Sequence, residues 1–273
     1  MKTSVIFSAL LCLLISITAS ANEPLRLATT TSTENSGLLA KLLPKFTQQT
    51  GISIDVIAVG TGKALQIARS GDADVVIVHS RQAENIFVAE GFGVNRRDVM
   101  ENDFVLVGPA SDPAAINGKN STLKAFSKIA RTHSIFISRG DHSGTHKKEH
   151  SLWQHAGINT LGHWHKSIGQ GMGKALLMAN ELNAYTLTDR GTWLAYKDKL
   201  SLKILNEGGI LLKNPYGIIA VNPALHKDIQ YLKAMRLIAW LTSPAGQQEI
   251  DQFNKNGQQL FYPTAIKDVI SSE

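Results

Sequence analysis

The chain has 273 residues, a formal net charge of +6 at pH 7, one cysteine and only 7% aromatic residues. Its basic residues are scattered rather than gathered in a tract interleaved with aromatics, which argues against a nucleic-acid partner and for a small anionic ligand. The single cysteine, Cys12, lies in an N-terminal apolar run, so the rest of the chain must hold itself together by its core rather than by disulfides.

Residues 1–21 read as a secretory signal peptide: Lys2 gives a positive start, Val5 to Ile17 an apolar stretch, and Ala19-Ser20-Ala21 a small-residue cleavage site. That stretch is too short for a bilayer core of roughly 30 Å, and no later segment reaches about 18 apolar residues. A soluble secreted protein is therefore expected. Cys12 follows Leu10-Leu11 rather than a small residue, which does not suit a lipid-attachment cysteine. Removing 21 residues from 273 leaves 252, enough for one large domain or two lobes, and lowers the charge by one through Lys2.

The first strand, Leu25-Arg26-Leu27-Ala28, runs into Thr29-Thr30-Thr31-Ser32, after which Glu34-Asn35-Ser36-Gly37 opens an amphipathic helix carrying Leu38, Leu39, Leu42, Leu43 and Phe46. Hydroxyl residues where a strand meets a helix are ordinary caps, and they also make an anion cradle with the unpaired N–H groups of the first turn. Gly51 stops the helix, and Ile52, Ile54, Val56 and Ala58 alternate as a strand. Val59-Gly60-Thr61-Gly62-Lys63 ends that strand, but Ile57 and Ala64 stand where a phosphate-binding loop needs glycine and a hydroxyl residue. Thr61 and Lys63 are thus either helix-start fittings or a third side of an anion site.

A helix from Lys63 to Arg69 and a doubly buried strand, Val75 to Val78, follow, and together they predict parallel α/β organisation. Phe104 to Val107 is the next apolar strand, and Gly108 to Pro113 looks like a crossing into a second lobe. Ile135-Phe136-Ile137 is a strand whose loop, Ser138-Arg139-Gly140-Asp141-His142-Ser143-Gly144-Thr145, repeats the hydroxyl logic and adds a charge. Arg139 offers a planar donor fork to two oxygens, with Ser143 and Thr145 able to complete the shell.

After Gly173 comes a helix through Leu176, Leu177 and Met178, then a strand Ala184 to Leu187 and a helix start at Thr188-Asp189, where Asp189 caps and Arg190 pairs nearby. Ile210 to Leu212 and Gly217 to Val221 read as strands flanking Asn214-Pro215-Tyr216. A final helical stripe takes in Leu225, Ile229, Leu232, Met235, Ile238 and Leu241, and Ser243-Pro244 caps the next helix. Residues 22–106 and 217–273 would form one lobe and 107–216 the other.

Two enzymatic readings compete with binding. His146-Lys147-Lys148-Glu149-His150 spells an inverted zinc-peptidase motif, yet its paired lysines oppose a cation. Asp141, His142, Ser143 and His146 crowd together as a serine hydrolase would need, but the serine is one residue out of step with G-x-S-x-G. A hydrolase or zinc enzyme centred on His142–His150 stays as the alternative, as does a sulfate or phosphate receptor. Trp153, Trp164, Trp193 and Trp240 read as packing, and His163 and His165 as surface groups.

Taken in order, Thr29-Thr30-Thr31-Ser32, Gly60-Thr61-Gly62-Lys63-Ala64, Val78-His79-Ser80, Ser138 to Asp141, Ser143 to Glu149, Tyr185 to Thr192 and Asn214-Pro215-Tyr216-Gly217 make the chain resemble the periplasmic tungstate-binding (TupA-type) components of ABC importers. The resemblance implies a type II periplasmic binding protein fold, two α/β lobes closing on tungstate or molybdate with no cofactor, no resident metal and no chemistry. It also implies a periplasmic monomer that serves a permease in the inner membrane. The family's threonine–serine motif and arginine fall on Thr30, Thr31, Ser32 and Arg139, with Ser143 and Thr145 at the second loop. His142 and His150 depart from the family pattern. A site made only of donors would reject a protonated anion such as phosphate, leaving sulfate to be excluded by size.

Overall fold

A computed structural model describes residues 23–118, 121–141 and 143–266. The signal-peptide expectation for residues 1–21 and the position of His142 lie outside them. In chain order the elements are β1 (Leu25–Thr30), α1 (Thr31–Ser36), α2 (Leu38–Thr50), β2 (Ile54–Val59), α3 (Thr61–Arg69), β3 (Val75–Val78), α4 (Arg81–Ala89) and β4 (Gly93–Gly108). Then come α5 (Thr122–Thr132), β5 (Phe136–Ser138), α6 (Gly144–His155), β6 (His165–Ser167), α7 (Met172–Glu181), β7 (Thr186–Asp189) and α8 (Arg190–Tyr196). The chain ends with β8 (Lys203–Asn206), β9 (Lys213–Val221), α9 (Tyr231–Thr242), α10 (Pro244–Asp251) and three two-residue strands, β10 (Asn254–Lys255), β11 (Gln258–Gln259) and β12 (Tyr262–Pro263). No helix among the described residues is long and apolar enough to cross a membrane.

The unbroken apolar spelling of β3 has a simple cause. Val75 and Ile77 face one core and Val76 and Val78 the other, so a period-2 strand that is covered on both sides needs no polar residue. β1 lies beside it, parallel to both β2 and β3. The sheet is nonetheless mixed, because β9 runs antiparallel to β3 and to β4, giving the order β12-β4-β9-β3-β1-β2. The parallel pattern expected from the sequence therefore holds only for its first three strands.

Between the two halves of the molecule runs β4, a single 16-residue strand. Its earlier part, from Gly93 to Asp103, pairs with β9, whereas Phe104 to Val107 pair with β7, and β8 joins alongside. Only this last segment was legible as a strand. The earlier part is too polar to announce itself, and its charges are spent on neighbours: Arg96 donates to Glu84 at 2.8 Å and to Asp98 at 2.9 Å.

Around Asn214-Pro215-Tyr216 the expected break is absent. β9 is continuous from Lys213, and Ile210–Leu212 is a 3-10 turn, not a strand. A proline fits there because the β3 register begins only at Gly217, so at Pro215 no β3 partner needs its missing N–H. The single amphipathic helix expected after the first strand is two helices, since Gly37 takes φ 84°, a left-handed conformation that ends α1 and starts α2. In the tail, Leu225 precedes α9 and is exposed, and Leu232 is 78% exposed, so the apolar face is carried by Ala234, Leu237, Ile238 and Leu241. Ser243 and Pro244 begin α10 as expected, with the Ser243 hydroxyl accepting from the Gly246 N–H at 3.2 Å.

The second lobe has its own core, in which Trp153 meets Phe126 and Phe136 edge-on at ring separations of 4.4 and 5.1 Å. Tyr185 crosses from this core to the loop after β4. Its hydroxyl donates to Asp112 at 2.7 Å and accepts from the Ala114 N–H at 2.9 Å, which ties that loop down.

Candidate functional site

Five chain segments meet around a cavity of about 520 Å³. α1 supplies Thr31, Ser32, Asn35 and Ser36; the loop after β5 supplies Arg139; the start of α7 supplies Gln170 to Lys174; and the end of β7 with α8 supplies Asp189, Gly191, Thr192 and Tyr196. Lys255 of β10 also lines it. At about 30 Å³ per water, the space holds on the order of ten to twenty waters, far more than a tetrahedral oxyanion displaces.

Of the residues singled out from the sequence, Thr31, Ser32 and Arg139 come together on this cavity. Thr30 is buried and works as a cap: its hydroxyl accepts from the Thr33 N–H at 3.2 Å and shares hydrogen bonds with the Thr33 and Ser32 hydroxyls at 2.7 and 3.0 Å. Ser143 caps α6 in the same way, accepting from the His146 N–H at 3.3 Å. Thr61 and Thr145 are buried at the first turns of α3 and α6, Lys63 is exposed, and none of the three is in the cavity lining.

Arg139 is not a lone cation. Its guanidinium is paired with Asp141, whose other oxygen accepts from the Ser143 N–H at 3.2 Å. Burial alone would raise the Asp141 pKa, but the Ser143 hydroxyl and Arg139 outweigh it and hold the carboxyl below its ordinary value. Asp189 departs further from a donor-only site, since a carboxylate lines the cavity. Its oxygens are already engaged, accepting from the Thr192 N–H at 2.8 Å and the Thr192 hydroxyl at 2.6 Å as the cap of α8. Arg190 points elsewhere, pairing with Asp103 and Glu207.

The start of α7, read from the sequence only as the beginning of a helix, is a site element. It contributes to the cavity through Gly171, Met172 and Gly173, and no side chain caps its first turn. The other unforeseen residue is His79, just past β3. Its Nδ1 lies 3.0 Å from the Asn214 side-chain oxygen, its Nε2 3.3 Å from the Ser32 hydroxyl, and its ring 4.9 Å from that of Tyr216. Withdrawal from water pushes its pKa below the ordinary histidine value against the opposing pull of Asn214 and Asp189, and Arg139 adds to the fall. A lone histidine directly after a buried apolar strand was the available signal.

The enzymatic readings fail on the partners of their own residues. Glu149, the would-be base, is buried, accepting from the Trp153 indole N–H at 3.1 Å and lying 2.7 Å from His165 Nε2. His165 is thus an interior group rather than a surface one. Ser143 serves its helix and Asp141 serves Arg139, so no hydrolytic triad forms from them. Among the described residues no cluster of three metal-binding side chains occurs.

Residues 18–245 match the model of a PBP superfamily domain. The chain is 49% identical over 245 residues to the tungstate-binding protein TupA of Peptoclostridium acidaminophilum, covering 88% of this chain and 86% of that one. The structure of the tungstate-binding protein TupA from Desulfovibrio alaskensis G20 superposes with a TM-score of 0.83 at 44% identity, covering 89% of this chain and all of that one. That of the tungstate ABC transporter from Geobacter sulfurreducens superposes at 0.78 with 52% identity, over 85% of this chain and all of that one. With this fold, this cavity and these relatives, the chain belongs to the TupA family of tungstate-binding proteins within the PBP superfamily.

Proposed function

We propose that this protein is the periplasmic receptor of an ABC importer, capturing tungstate, and molybdate as its near-isostere, and delivering it to an inner-membrane permease. The observation that carries the reading is the convergence of Thr31 and Ser32 with Arg139, from segments far apart in sequence, on one cavity. The hydroxyls and the α7 N–H groups donate to the oxyanion, and Arg139 offsets part of its charge. Thr30 and Ser143 hold the two loops in shape; Thr61 and Thr145 brace the neighbouring helix starts, and Lys63 adds long-range attraction. Residues 22–106 with 217–273 close against 107–216, the chain acts as a monomer, and residues 1–21 are a signal peptide that is removed on export.

Calorimetric titration of tungstate, molybdate, sulfate and phosphate in one phosphate-free buffer tests this. Tungstate and molybdate should bind far more tightly than the other two. Preferential binding of sulfate or phosphate would make the protein a receptor for that anion instead.

Gly144 opens α6 against His79, and a Cβ there would stand 2.8 Å from His79 Cε1. Because His79 is held by two hydrogen bonds and a ring contact, it cannot easily yield. Gly144→Ala should therefore cost roughly 1 to 3 kcal/mol of folding stability, despite the better helix propensity of alanine, and weaken tungstate binding through the displaced His79. Unchanged affinity by calorimetry would show that α6 and His79 do not have to meet in the bound form.

A further inference from the structure

Resting on the receptor reading above, we propose that His79 is a positioning residue that takes up a proton when the oxyanion enters, freeing the Ser32 hydroxyl to donate to the ligand. The hydrogen-bond chain fixes the starting arrangement. The Asn214 amide nitrogen donates to the Asn102 side-chain oxygen at 2.7 Å and to the Tyr216 hydroxyl at 3.3 Å. The Asn214 oxygen is thereby turned toward His79, where it accepts from Nδ1–H at 3.0 Å. A neutral imidazole that donates from Nδ1 has an acceptor at Nε2. The Ser32 hydroxyl lies 3.3 Å away and also 3.0 Å from the Thr30 hydroxyl; with Thr33 donating to Thr30 and Thr30 to Ser32, the Ser32 proton is left for Nε2.

In this arrangement Ser32 shows lone pairs, not a proton, to the cavity it lines. A dianion brought there would meet them unfavourably. Transfer of one proton from solvent to Nε2 reverses the bond: Nε2–H donates to the Ser32 oxygen, and the Ser32 O–H turns to an oxyanion oxygen. Nδ1–H stays on Asn214 throughout. Burial favours the neutral ring in the empty site, and the charges that face it act against one another. Asp189 favours the charged ring and Arg139 opposes it, while the Tyr216 hydroxyl, raised by burial and by Asp189, stays neutral. The incoming dianion adds the missing negative charge and offsets Arg139.

The same chain reaches the two strands that join the lobes. Asn102 on β4 and Asn214 on β9 are register partners. His79 therefore connects a ligand-facing hydroxyl to the joint between the lobes, and on its other side abuts Gly144 of α6.

The test is calorimetry of tungstate into the full-length mature protein at about pH 8, above the ordinary histidine range, in buffers of contrasting ionisation enthalpy. The wild-type protein should take up close to one proton per tungstate bound. Its association constant should fall by up to about tenfold per pH unit between the free-state and bound-state titrations of His79, and level off above the latter. His79→Gln keeps an amide N–H toward Ser32 but cannot titrate, so its proton uptake should vanish and its pH profile flatten. Should that variant not fold, the His79 ring NMR shifts must move from neutral to charged on adding tungstate at fixed pH. Tight wild-type binding without proton exchange, or uptake that persists undiminished in His79→Gln, overturns the proton role and leaves the receptor reading intact. Failure of tungstate to bind at all overturns both.

Discussion

Arg139→Ala should lose roughly 2 to 5 kcal/mol of tungstate binding, the range for removing one partner of a charge pair that becomes desolvated. The variant loses more than a cation. Asp141 is left without its guanidinium partner beside a site that receives a dianion, so a favourable contact is replaced by a repulsive one. Double substitution of Arg139 and Asp141 by alanine should for that reason bind more tightly than Arg139→Ala alone, a coupling that a double-mutant cycle reads directly. Arg139→Lys should fall between wild type and Arg139→Ala, because a point charge keeps the sign but not the two-oxygen fork. Near wild-type affinity of Arg139→Ala by calorimetry would remove the residue from the site.

Asp74→Ala should be the most damaging single change to stability away from the cavity, costing about 3 kcal/mol or more. Asp74 is fully buried where β1, the start of β3 and the approach to α9 meet. It accepts from the Arg26 backbone N–H at 2.8 Å, from Arg26 Nε and the terminal nitrogen at 3.1 and 2.7 Å, and from the Gln230 N–H at 3.0 Å. The carboxylate raises the Arg26 pKa, as expected of a charge held by its partner. Arg26 can still reach water after the substitution, but the two backbone donors cannot easily do so. At roughly 2 to 4 °C per kcal/mol for a chain of this size, the melting temperature should fall by several degrees or more. Asp74 and His79 sit at opposite ends of β3, about 16 Å apart along the chain, so tungstate affinity of the folded variant should be unchanged. An affinity loss matching the stability loss would mean that this end of the sheet communicates with the cavity.

What could be read from the sequence was what local chemistry decides. β3 announced itself because both its faces are buried, α10 because serine and proline start it, and Asp189 because it caps α8. The same local logic found Thr31, Ser32 and Arg139, each set where a strand gives way to a helix. Long-range pairing hid the rest. Gly93 to Asp103 is a strand because β9 lies beside it and its charges find partners, none of which is visible within the segment. His79 reaches Ser32 because β1 and β3 are neighbours in the sheet, and the start of α7 reaches the loop after β5 because β6 pairs with β5, so that the Gln170 N–H donates to the Arg139 carbonyl at 3.1 Å; both depend on strand order rather than on any spelling. Asp189 illustrates the limit in both directions: its capping role was readable, but its place on the cavity was not.

The ribbon formed by β4 and β9 has a mechanical meaning. Because these strands keep unbroken register from Met100 to Asp103, beyond two irregularities nearer Gly93, the link between the halves is a laddered pair and not two slack tethers. Such a pair yields to twist, most readily where an irregularity has already interrupted the ladder. Relative movement of the two halves through such a link leaves the Met100 to Asp103 ladder made, so the link itself need not unfold.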